Sequence, residues 1–333
     1  MILDVAYPRA LLQACPVYKP SPLSVVNFGE RKLIIKDETA RMNLGAFKAL
    51  GGVYAVAKLI ERKVGRALSA TEFFAPEVKS IAANMTFVCA SAGNHGLAVA
   101  AGANLFGAKS RIHLSKTVPN GFVARLKQQG AEVVRSGDDY EASVSAAISD
   151  SKCSDATHLA DGSWPGYTEP PRLVMEGYTV LADEIREVFS GVSELAGMWP
   201  SHVYLQAGVG GLAAAVAHQI RVSWLMQPKI VVVEPDAAPC LRDSVLAGEI
   251  LTVPGPVSNM GRLDCKTPSL LAFDILKDCA DEWICISDEQ AEDAVKLSSE
   301  IGFSTTPSGA AGLAACLQDE ADLPLIILSE CGV

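Results

Sequence analysis

With 333 residues, of which 49% are hydrophobic and 20% charged, the chain is long enough for two subdomains with cores of their own and is not intrinsically disordered. A net charge of −10 without any run of Lys and Arg argues against a nucleic-acid partner. Nine scattered cysteines with no C-x-x-C pair read as small buried hydrophobes in a reducing compartment rather than as disulfides or a metal site, and with no leader pattern or bilayer-length apolar run the expectation is a cytoplasmic protein without membrane contact.

Along the chain, short β-branched runs alternate with longer Ala-rich amphipathic segments. The strand "RKLIIKDE" leads to the helix "GGVYAVAKLIERKV", "MTFVCAS" to "NHGLAVAAGANLFG", "SRIHLS" to "PNGFVARLKQQG", and "AEVVRS" to "DYEASVSAAISDS". After a Gly-, Pro- and aromatic-rich crossing, "HLADGSWPGYTEPPRLVMEGY", the alternation resumes with "SHVYLQAG", "KIVVVEP", "EWICIS" and a terminal "LPLIILSE". Strand followed by helix, repeated, predicts an α/β fold of parallel sheets wrapped by helices, with the crossing contributing to a cleft.

Three stretches carry candidate chemistry. In "NLGAFKALGG", Lys48 sits among Gly45, Ala46, Phe47, Ala49 and Leu50. Such a setting partly desolvates an ammonium and suits an amine nucleophile, although a helix-start lysine with its head in water fits equally well. In "CASAGNHGLAVA" a strand enters the loop Ser91, Ala92, Gly93, Asn94, His95 and Gly96, whose amides suit a carboxylate; His95 alone, with no carboxylate in view, reads as a capping or packing residue. In "LQAGVGGLAAA" the glycines Gly208, Gly210 and Gly211 bring backbone amides and a helix N-terminus to one point, which binds phosphate. By itself this turn also fits a dinucleotide, with Glu234 on the ribose, and hence an NAD-binding oxidoreductase.

Taken together and in this order, the three stretches resemble the fold-type II pyridoxal-phosphate enzymes, the tryptophan synthase β-like group that includes threonine dehydratase, serine racemase and cysteine synthase. Within the group, "KDETARMNLGAFKALGG", "DGSWPGYTEPPRLVMEGYTVLADE", "GRLDCKTPS" and "PSGAAGLAA" are most similar to the diaminopropionate ammonia-lyase family. The resemblance implies a homodimer whose cleft lies between a large cofactor-binding domain, residues 1–84 and 161–333, and a small domain, residues 85–160. It implies that Lys48 holds pyridoxal 5'-phosphate as a Schiff base and shuttles the Cα proton, with Phe47 beside the ring and Asn94 on the ring 3-oxygen. The amides of Gly208, Val209, Gly210, Gly211 and Leu212 would take the phosphate, and Ser329 rather than Glu330 the ring nitrogen. Asp161 would assist proton transfer or hold a substrate amine, unless it is only a turn residue in "ADGS".

Substrate contacts are expected from Ser91, Ala92, Gly93, Asn94, His95 and Arg262. The implied reaction is elimination of ammonia, or another β leaving group, from a β-substituted L-amino acid such as 2,3-diaminopropionate, giving pyruvate and ammonia. Alternatives within the fold are β-replacement or dehydration of serine or threonine. Two positions depart from the family. Ala92 stands where it places an acid, in a sequence like TDGNHG, that serves the D-isomer, so L-substrates alone are expected. Arg262 stands where a small residue is usual, and if it faces the cleft the substrate would carry a second anionic group.

Overall fold

Ten strands form two sheets in the structure, a computed structural model that describes residues 3–29 and 31–332. In chain order they are β1 (Leu23–Phe28), β2 (Arg31–Asp37), β3 (Thr86–Cys89), β4 (Lys109–Leu114), β5 (Glu132–Arg135), β6 (Thr157–His158), β7 (His202–Gln206), β8 (Lys229–Pro235), β9 (Glu282–Ile286) and β10 (Leu325–Leu328). The larger sheet has the order β1-β2-β10-β7-β8-β9 and the smaller β5-β4-β3-β6. All neighbours are parallel except β1, which runs antiparallel to β2 from Leu23↔Lys36 to Phe28↔Arg31. This is the α/β architecture that the strand–helix alternation predicts, and the antiparallel edge strand is its one departure from an all-parallel expectation among the described residues.

The central strands read as unbroken apolar runs because helices cover both of their faces: all four residues of β10 and the stretch Ile230–Pro235 of β8 are buried. Although last in the chain, β10 lies between β2 and β7, with Leu325 facing Ile34 on one side and Val203 on the other. The C-terminal residues after it therefore emerge at the middle of the sheet's carboxyl edge. There Glu330 bridges to Ala46, and the Phe47 amide donates to the Ser329 carbonyl at 3.1 Å.

The glycine pair of "FKALGG" has a packing cause. The Lys48–Val64 helix lies against the Asn94–Phe106 and Glu169–Ser190 helices. A Cβ on Gly51 would fall 2.4 Å from the Tyr178 ring, and one on Gly52 would fall 2.5 Å from the Ala98 Cβ. Only glycine permits these close approaches.

Just upstream, Met42 and Asn43 adopt positive φ (49° and 59°), a strained conformation for non-glycine residues. Buried charges brace this segment. Arg41 makes hydrogen bonds of 2.6 Å to both oxygens of Glu38 and of 2.7 and 2.8 Å to Glu184, which also accepts from Lys36 at 2.6 Å. The start of the Lys48 helix is thus fixed from behind by ion pairs and from the side by β10.

Candidate active site

A cavity of about 440 Å³ opens at the carboxyl ends of both sheets, where parallel α/β folds place their ligands. Its walls bring together the residues expected to bind cofactor and substrate: Phe47 and Lys48; Ser91, Ala92, Gly93, Asn94 and His95 after β3; Asp161 after β6; Gly208, Val209, Gly210, Gly211 and Leu212 after β7; Arg262; and Ser329 after β10.

Lys48 is the first residue of its helix, and its side chain is 23% exposed. Its surroundings are less apolar than the local sequence suggests, because the Nζ donates to the Asp161 carboxylate, 113 residues away. Burial raises the Asp161 pKa, but the charge of Lys48 and its hydrogen bond outweigh it and hold the carboxyl well below the usual carboxylate range. Asp161 is therefore ionised throughout the neutral range and is a counter-ion rather than a lone turn residue.

His95 is 3% exposed, and burial lowers its pKa, so the ring is neutral. Its Nε2 lies 2.8 Å from the Leu159 carbonyl and must donate there, which leaves Nδ1 an acceptor with no partner among the described residues. Tyr178 packs edge-on to Phe47 with ring centroids 4.9 Å apart, and its buried hydroxyl also lacks a partner.

Asn94 donates its side-chain amide to Glu330, whose other carboxylate oxygen accepts from the Thr306 hydroxyl at 2.5 Å. Sequence reasoning set Glu330 behind Ser329; in the structure both line the cavity, and it is the Glu330 carboxylate that holds Asn94.

The glycine turn after β7 enters the Gly211–Ser223 helix, in which Ala214 is the first amide bonded back, to Gly210 at 2.9 Å. The amides of Gly211, Leu212 and Ala213 have no intrahelical acceptor and suit an anion. Gly210 has φ 96°, and a Cβ there would lie 2.7 Å from Leu241 Cδ1 and 2.9 Å from Ala272 Cβ. Gly210→Ala is accordingly expected to destabilise the fold by about 1–3 kcal/mol and to weaken cofactor binding by about tenfold or more, read by titrating the apoprotein with pyridoxal phosphate.

Glu234 excludes the dinucleotide alternative. It is 1% exposed and accepts from the Leu241 and Arg242 amides, both at 2.8 Å, so it caps the start of the Cys240–Ala247 helix and does not line the cavity.

Sequence reasoning overlooked Tyr178, Tyr140, Glu141, Cys265 and Ser308 as lining residues. All five lay in stretches quoted for another reason, and burial pushes the Cys265 thiol up to about 11, away from thiolate chemistry.

The set fits pyridoxal phosphate: an amine paired with a carboxylate, amides without acceptors at a glycine turn, and three buried polar atoms without partners among the described residues, His95 Nδ1, the Tyr178 hydroxyl and Gln206 Oε1, in one cavity. A family model described as pyridoxal-phosphate dependent enzyme matches residues 15–325. The chain is 33% identical over 290 residues to diaminopropionate ammonia-lyase of Escherichia coli strain K12, covering 85% of this chain and 72% of that protein. Against L-threonine ammonia-lyase of Geobacter sulfurreducens it is 29% identical over 231 residues, covering 69% of this chain and 54% of the relative. The crystal structure of holo diaminopropionate ammonia lyase from Escherichia coli superposes with a TM-score of 0.85 at 29% identity, over 98% of this chain and 88% of that one. Maize serine racemase shares the fold, with a TM-score of 0.80 at 22% identity over 100% of this chain and 94% of that one.

Proposed function

The chain belongs to the pyridoxal-phosphate dependent enzymes, and from this premise we propose an ammonia-lyase that carries out α,β-elimination on β-substituted L-amino acids such as L-2,3-diaminopropionate, giving pyruvate and ammonia. The observation that carries the proposal is the Lys48–Asp161 pair facing the Gly208–Leu212 turn across one cavity.

When bound, pyridoxal phosphate supplies the electron sink for the charge left at the substrate Cα. The protein's own residues do the rest. The amides of the Gly208–Leu212 turn hold the phosphate, and the Ser91–His95 loop orients the substrate carboxylate with its free helix-start amides. Phe47 and Tyr178 wall the site on one side. The Lys48 amine anchors the cofactor, then takes the proton from Cα, and the Asp161 carboxylate stabilises the resulting ammonium.

Because Ala92 offers no base on the loop side of the cavity, L-2,3-diaminopropionate is expected to turn over at least about 100-fold faster than its D-isomer, the size of contribution one positioned base supplies. Assays of pyruvate and ammonia on both isomers check this, and comparable rates would contradict it. Running the same assay on L-serine and L-threonine, with and without an added thiol, separates ammonia elimination from dehydration and β-replacement. We further propose a cytoplasmic homodimer in which a small domain, residues 85–160, faces a large domain, residues 1–84 and 161–333, across the cleft. Among the described residues no helix is long and apolar enough to cross a membrane, and the small sheet falls within residues 85–160.

A further inference from the structure

Beyond the amides that suit the cofactor phosphate and one substrate carboxylate, the cavity wall carries one further cation with no hydrogen-bond acceptor of its own among the described residues, although the same wall also holds the carboxylates of Glu141, Asp161, Asp264 and Glu330. Two helix starts, at Asn94 and at Gly211, each present amides without intrahelical acceptors, one set for each of those anions. The lining residues hold two cations besides. Lys48 is paired with Asp161. The other, Arg262, is not committed in the same way.

Its backbone is fixed. The Arg262 amide donates to the Ser308 hydroxyl at 3.1 Å, and the Arg262 carbonyl abuts Gly208 of the phosphate turn, 2.9 Å from where a Cβ on that glycine would lie. The side chain reaches the other way, over the Ser91–His95 loop. The guanidinium carbon lies 3.1 Å, and Nη1 3.2 Å, from where a Cβ on Gly93 would stand, so the missing side chain of Gly93 makes its berth. It also sits 5.9 Å from the centre of the Phe122 ring.

Among the described residues its one ionic neighbour is Glu330, at 3.6 Å from Nε, which is beyond hydrogen-bond length. Glu330 is already occupied by Asn94 and Thr306. Among the described residues the guanidinium donates no hydrogen bond, while its side chain is only 37% exposed. A planar fork of donors held in a partly buried cavity matches a carboxylate or a phosphate ester, and with the other two anions provided for, it matches a third.

We propose that Arg262 receives an anionic group on the substrate side chain, so that the preferred substrate is a β-substituted L-amino acid bearing a second carboxylate or a phosphate ester. This rests on the lyase reading above and narrows its substrate class.

The test uses the holoenzyme and two readouts. The first is equilibrium binding of L-aspartate against the isosteric L-asparagine, followed by the change in cofactor absorbance. L-aspartate is expected to bind at least tenfold more tightly, Arg262→Ala to erase the difference, Arg262→Lys to restore part of it, and Gly93→Ala to reduce it by displacing the guanidinium. The second is kcat/KM for threo-3-hydroxy-L-aspartate, O-phospho-L-serine and L-2,3-diaminopropionate. One of the two anionic substrates is expected to lead, which distinguishes carboxylate from phosphate ester. Arg262→Ala is expected to cut its kcat/KM at least tenfold further than that of L-2,3-diaminopropionate, chiefly through KM. Equal losses on all substrates would mean that Arg262 reads the α-carboxylate, and equal binding of aspartate and asparagine to the wild type would mean that it only balances Glu330. Either result overturns the proposal. A wild-type protein that takes up no pyridoxal phosphate overturns the lyase reading itself, whereas a loaded enzyme without charge preference overturns this inference alone.

Discussion

Lys48→Ala is expected to lower kcat by about 10³-fold or more, because in the proposed reaction one residue holds the cofactor and moves the Cα proton, and a positioned acid–base group alone contributes about 10² to 10⁴. No other lysine lines the cavity among the described residues; Lys58, three turns along the same helix, is paired with Glu61. The alanine variant also leaves the Asp161 carboxylate without its partner, so part of its loss could be structural. Lys48→Arg separates the two effects. It keeps a cation beside Asp161 but has no titrating amine, and it is expected to be as inactive as the alanine variant while unfolding closer to the wild type in urea. Retention of more than a tenth of wild-type kcat by Lys48→Arg would remove the nucleophile and base roles together.

Glu184→Ala is expected to destabilise the fold by about 3–5 kcal/mol, the range for removing one member of a buried ionic network. Glu184 receives Lys36, Arg41 and the Tyr18 hydroxyl, and its loss leaves two cations buried with Glu38 as the remaining nearby carboxylate. Burial raises the Glu184 pKa, but hydrogen bonds from Arg41 and the charge of Lys36 outweigh it and push it down to about 2 from an ordinary 4.5. A folded value below the unfolded one means stabilisation that is fully present above pH 4.5 and is lost as pH falls towards 2. Wild-type stability should therefore decline across that window more steeply than the variant's, as measured by urea unfolding at a series of pH values. The effect reaches the site, because Arg41 anchors the positive-φ segment at Met42 and Asn43 that leads into Lys48. A variant that unfolds within 1 kcal/mol of the wild type would show that the network does not brace this segment.

What sequence reasoning could read was local. Lys48, the Asn94 loop and the Gly208–Leu212 turn are each a short strand–turn–helix whose backbone demands small residues at fixed spacing, and that spacing is visible in one dimension. The alternation of β-branched and Ala-rich segments was legible for the same reason. The edge strand β1 was not, because its residues are half-buried or exposed on both faces and show no two-residue period. The Pro307–Cys316 helix is buried from Ser308 to Cys316, so no polar face marks a 3.6-residue period, and its "PSGAAGLAA" stood out only as a family pattern. The pairings that tune the site span 113 residues between Lys48 and Asp161, 236 between Asn94 and Glu330, and 143 between Arg41 and Glu184. No periodicity reports on contacts of that range. The same holds for Glu234, whose place near the end of β8 resembles that of a ribose-binding acid, whereas its carboxylate accepts from the amides of the following helix.

The measurement that bears most directly on the role of Lys48 is borohydride reduction of the purified protein, followed by peptide mapping. A yellow absorbance band that reduction bleaches is expected, with the pyridoxyl-phosphate mass found on the peptide carrying Lys48 and absent from Lys48→Ala. A colourless protein that takes up no pyridoxal phosphate, or a label that settles on another lysine, would contradict it.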